Sequence, residues 1–177
     1  MRTTFITRFD SKTRCYIGSL FSFSVGLMLG SVYLSKTDTN TQEKLNTMVT
    51  DIFGEVNTGL WQNYKTVFSV YFAAAVVLML MCLSLYPVLG NSLFFVGYGV
   101  GTSVVLRTTG DKWLFLLVVL VPVLITAVTC YIILAEMVVS GKLKGKITSK
   151  TAVKSFYITA VLGLISLYYC GIKTIIL

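Results

Sequence analysis

Long uncharged stretches alternate along this chain with short segments that carry nearly all of its charge. Residues 15–35 form the first stretch, 21 positions bounded by Arg14 and Lys36. A membrane-crossing helix needs about 20 mostly apolar residues, so this stretch predicts one span. A secretory signal also places positive charge before an apolar run, but such runs are about 7–15 residues and end at a small-x-small cleavage site. This run is longer and closes on Tyr33, Leu34, Ser35 and Lys36, which predicts an uncleaved anchor.

Residues 66–106 are 41 consecutive uncharged positions. One helix of that length would be about twice as long as the hydrocarbon core requires, so the run must fold back. Pro87, Gly90 and Asn91 mark the place, because these residue types form turns. Two spans follow, at about 66–86 and 88–106. Residues 113–135 and 155–172 supply two more, the first of them containing Pro122. The expected fold is an all-α integral membrane protein with five transmembrane helices, a single membrane domain over residues 1–177.

The polar segment after the first span has its own period. Leu45, Met48, Val49, Ile52, Phe53, Val56, Leu60 and Trp61 recur at steps of three and four, the stripe of an amphipathic helix over about 41–61. Thr39 to Gln42 offers a capping box, and Glu43 stands near the positive end of the helix dipole. Such a helix lies on the membrane surface, packs on the bundle, or docks another protein; Ile52, Phe53 and Trp61 are the candidate partner contacts.

Composition sharpens the membrane reading. The chain is 55% hydrophobic and only 12% charged, with a mean hydropathy of +0.81. Soluble domains average about 25% charged residues, and so little charge would not cover a water-facing surface. There are 15 Lys and Arg against 7 Asp and Glu. That excess does not point to nucleic acid, because the basic residues flank apolar runs instead of forming a face. Four precede the first span, and five (Lys142, Lys144, Lys146, Lys150 and Lys154) precede the last. With five crossings, the positive-inside bias puts these two clusters in the cytoplasm, with the N-terminus inside and the C-terminus outside.

The chemistry on offer is narrow. The absence of histidine removes Ser-His and Cys-His catalysis and HExxH zinc sites. Cys15, Cys82, Cys130 and Cys170 form no CxxC pair and read as small buried hydrophobes. No P-loop, nucleophile elbow or dinucleotide fingerprint occurs. The expectation is therefore a protein that is not an enzyme, with no catalytic, cofactor-binding or metal-ligating residue. Glu136 is the one acidic residue attached to a span, expected at its cytoplasmic end facing headgroup water.

Small residues carry the remaining signal. Gly26 and Gly30 form a GxxxG face in the first span. Gly97, Gly99 and Gly101 alternate in the third, with Gly97 and Gly101 forming a second GxxxG. Val96-Gly97-Tyr98-Gly99 also matches a potassium-filter string, although Phe95 precedes it and no acidic residue follows. Helix packing is the expected role of all five glycines, and a kink that of Pro122.

The order of these features resembles the stage II sporulation protein M family of bacterial five-span membrane proteins. The likeness rests on the Gly26/Gly30 span, the external amphipathic segment, the arm from Gly90 to Gly101, Gly110, and Leu120-Val121-Pro122. The chain departs from the family at Val123 and at Asp111 to Trp113. The resemblance implies a bacterial cytoplasmic-membrane scaffold for peptidoglycan-remodelling proteins during sporulation, with no catalytic residue. The expected partners are thus the lipid bilayer and other membrane or extracytoplasmic proteins, with self-association equally compatible with the glycine faces. The alternative is a small permease or channel subunit, which would need a midplane cavity with converging polar groups.

Overall fold

The computed structural model describes residues 10–53, 60–83, 86–108, 113–141 and 149–176. The basic residues Arg2, Arg8, Lys112, Lys142, Lys144 and Lys146 lie outside that set, as does Val56 of the expected amphipathic stripe. Among the described residues every regular element is helical. In chain order these are α1 (Ser11–Lys36), α2 (Thr39–Phe53), α3 (Leu60–Cys82) and α4 (Pro87–Thr108). Then come a single turn α5 (Trp113–Phe115), a π-helical turn (Leu116–Leu120), α6 (Val121–Val139) and α7 (Ser149–Ile176).

Among the described residues, four helical stretches are long and apolar enough to cross a membrane: Lys12–Lys36, Trp61–Cys82, Pro87–Thr108 and Leu116–Val139. A 22-residue helix is about 33 Å long, close to the roughly 30 Å of bilayer hydrocarbon. The apolar part of α7, Phe156–Ile172, is shorter. The outward faces carry large apolar side chains throughout, among them Phe21, Met28, Leu80 and Phe156. Such a continuous apolar exterior is a solvent-facing liability in water and the natural surface in lipid.

α6 is the hub. Ala127, Tyr131 and Ala135 on it are wholly inaccessible, and it contacts α1, α3, α4 and α7. α1 packs chiefly along α4, away from α7. α2 leaves α1 after a two-residue break and rests against the C-terminal end of α4.

Three local features differ from the sequence expectation. The described part of the amphipathic helix runs to Phe53, and Trp61 stands in the first turn of α3, with residues 54–59 between them outside the described set. Pro87 opens α4, where a missing N–H costs nothing, so the chain turns before it. Gly90 and Asn91 are then buried inside α4 and do not make the turn; a Cβ on Gly90 would run into the Met81 carbonyl of α3. Finally, Glu136 does not face headgroup water. α6 continues past it to Val139, leaving it 9% exposed, with Lys12 Nζ 3.8 Å from its carboxylate.

Candidate functional site at the glycine seam and tyrosine cavity

The two faces of α4 do different things. On one, glycine lets α1 approach until backbones touch. A Cβ on Gly26 would collide with the Val96 carbonyl, and one on Gly99 with the Phe23 carbonyl. A Cβ on Gly30 would collide with Ser103 Oγ and lie 3.0 Å from Val100 Cα. Dispersion and close backbone contact hold such a seam in lipid, where no hydrophobic drive operates between helices. A hydrogen bond pins its end: Asn91 Nδ2 donates to Ser19 Oγ at 2.9 Å, with both residues buried.

Gly97 and Gly101 point elsewhere. A Cβ on either meets nothing within 4 Å, so neither belongs to the α1 seam. They differ in this from the packing role expected of their GxxxG spacing, because the alternation places Gly99 alone of the three toward α1. Gly97 and Gly101 instead line a cavity of about 270 Å³ between α3, α4, α6 and α7. Tyr71, Tyr98, Tyr131 and Tyr169 contribute one aromatic ring from each of those helices. Tyr131 donates its hydroxyl to the Tyr71 carbonyl at 3.0 Å, and its ring meets Tyr98 edge-on at 5.2 Å between centroids. Phe94 packs against both Tyr98 and Tyr131. The lining carries hydroxyls but no charged side chain. It can hold an apolar or weakly polar group; it offers no acid–base pair.

The filter-like string lies wholly inside α4. Helical carbonyls are spent on the helix's own hydrogen bonds, so this backbone does not present the ring of free carbonyls that strips an ion of water.

Pro122 occupies the first turn of α6, directly after the π-helical turn. Its ring has no N–H for the carbonyl four residues back, and a π turn is the local adjustment that absorbs the misfit. That carbonyl, Val118 O, is taken up by the Tyr168 hydroxyl of α7 at 3.3 Å. The expected kink is thus realised as a change of helical pitch bridged by a neighbouring helix.

α2 is held along its first half. Gln42 Nε2 donates to the Leu34 and Thr37 carbonyls, both at 2.9 Å, closing the C-terminus of α1 instead of completing a capping box. Thr108 Oγ1 at the end of α4 donates to Asn46 Oδ1 at 3.1 Å. Met48 is exposed on this helix, while the side chains of Ile52 and Phe53 lie outside the described residues. Trp61 is exposed, stacked on Tyr64 at 5.6 Å with Lys65 Nζ 5.4 Å from its ring. Trp113 is equally open. Aromatic rings beside a lysine at a span's end are the composition of a membrane–water girdle.

Sequence reasoning missed the tyrosine quartet and the buried Asn91. A signal existed for both: each tyrosine sits well inside an uncharged run, where a hydroxyl needs a partner or a cavity, and Asn91 was legible as polar but assigned to a turn. Among the described residues no cluster of potential metal ligands occurs, and the four cysteines are buried. Compared with protein-family models, curated proteins and solved structures, the chain matches none.

Proposed function

We propose that this chain is a non-enzymatic scaffold of a bacterial cytoplasmic membrane, crossing it five times with the N-terminus inside. The observation that carries the reading is the attachment of α2. An amphipathic helix with an exposed Met48 is bolted by Gln42 and Asn46 to the two helices that share the glycine seam. A rigid membrane body presenting a fixed surface helix is what an organiser of other proteins needs. α7 serves as the fifth crossing: Lys154 near its start and Lys173 near its end bracket its apolar part. The two basic clusters then share the cytoplasmic side. The resemblance to the sporulation family adds peptidoglycan-remodelling proteins as the partner class.

The test is photocrosslinking in native membranes from a reactive residue placed at Met48. Recovery of one defined protein supports the scaffold; crosslinks to lipid alone reduce α2 to a surface anchor. The second reading, a small permease or channel subunit, is favoured by the tyrosine-lined cavity. Flux of small neutral solutes into vesicles containing the purified chain, lost when Gly97→Phe fills the cavity, would put it first.

A further inference from the structure

At the end of the bundle where α1 and α4 begin and α6 stops, a second cavity of about 380 Å³ opens. Arg14, Gly18, Val88, Asn91, Ser92 and Val139 line it. Three features converge there. Asn91 is 4% exposed, and its Oδ1 has no hydrogen-bond partner although its Nδ2 is bound to Ser19. A buried acceptor left unmade costs about 1–3 kcal/mol, so an outside donor is expected at it. Arg14 supplies a guanidinium whose planar fork suits phosphate. Val88 and Ser92 belong to the first turns of α4, where the positive end of the helix dipole favours an anion. The rest of the wall, Cys15, Gly18 and Val139, is apolar.

Of the carboxylates at this end, Glu136 is countered by Lys12 at 3.8 Å, while Asp10 stands one helical turn before Arg14. Depth identifies the occupant. Arg14 lies at the boundary of the α1 span and Pro87 at that of the α4 span, so the cavity sits at the level of the head groups, with an apolar flank toward the chains. Basic pockets between spans on the cytoplasmic side bind anionic head groups.

We propose that this cavity is a site for an anionic phospholipid with a hydroxyl-bearing head group. The phosphate sits on Arg14 and the start of α4, the head-group hydroxyl donates to Asn91 Oδ1, and the glycerol backbone lies against Val139.

The test titrates lipids into the purified full-length chain in a neutral detergent and reads the midpoint of thermal unfolding. Dioleoylphosphatidylglycerol is expected to bind more tightly than dioleoylphosphatidylcholine, which has the phosphate but neither net charge nor a donor. Arg14 is exposed, so Arg14→Gln should fold normally. It should weaken phosphatidylglycerol binding about fivefold, the loss of roughly one surface cation's attraction. Lys154→Gln removes the same charge from α7 and should leave binding within about twofold. Asn91→Asp keeps the side-chain shape but sets a carboxylate against the phosphate, and should also weaken binding. Equal affinity for the two lipids overturns the proposal. So does an equal loss in Arg14→Gln and Lys154→Gln, which would mean diffuse charge, or no loss in Arg14→Gln, which would leave Asn91 to a water. Binding of glycerol 3-phosphate as tight as that of the lipid would make the site one for a soluble phosphate and overturn it too.

Discussion

The hydroxyl of Tyr168 on α7 donates to the carbonyl of Val118, the backbone group that Pro122 leaves without its helical N–H. In hydrocarbon no water is available to replace either partner, so a defect in one helix is repaired by a side chain from the next. The pairing ties α7 to the π-helical turn and makes the proline tolerable.

Tyr168→Phe should therefore destabilise the bundle by about 0.5–1.5 kcal/mol. Pro122→Ala restores an N–H at position 122 and should shrink the cost of Tyr168→Phe when the two are combined. Thermal unfolding of the four proteins of this cycle in detergent measures it; additive costs would detach the tyrosine from the proline.

The glycines of α1 and α4 should separate into two classes. Gly26→Ala and Gly99→Ala push a Cβ into facing backbone and are expected to cost about 1–3 kcal/mol. Gly97→Ala and Gly101→Ala meet open space and should be neutral or slightly stabilising, since alanine favours a helix by about 1 kcal/mol over glycine. Melting midpoints of the four variants decide the matter.

All four cysteines should resist a membrane-impermeant maleimide until the protein is denatured. Cys15, Cys82, Cys130 and Cys170 are each at most 9% exposed, and burial keeps such a thiol protonated and away from a water-soluble reagent. Counting adducts by mass spectrometry before and after unfolding checks this.

Reporter fusions after Asp111 and after Gly145 should fall on opposite sides of the membrane. On the proposed topology the first lies outside and the second in the cytoplasm. The same side for both would remove the crossing between them.

The spans were legible because a helix in lipid must be apolar over its whole length, and length alone then marks its ends. The fold-back near Pro87 was legible for the same reason, since 41 uncharged residues exceed one crossing. What the pattern did not carry was rotation. Gly97, Gly99 and Gly101 look alike in sequence, yet successive helical residues differ in direction by about 100°, so only Gly99 meets α1 while the other two open onto the tyrosines. Hydropathy is blind to that angle because lipid and protein interior are equally apolar. Asn91 and Glu136 were misplaced by the complementary error: their polarity suggested water, whereas Ser19 and Lys12, both distant in sequence, supply their partners.

The reliance of α1 on α4 sets an order of events during synthesis. Gly26 and Gly30 have no surface to close upon until Val96 and Gly99 have been made, some 70 residues later. α1 thus enters the bilayer as a solitary helix with a bare groove, and it waits there while α2 and α3 are made. Only the arrival of α4 completes its neighbourhood. A ribosome stalled before that point leaves an unfinished protein whose groove is open to any other helix in reach.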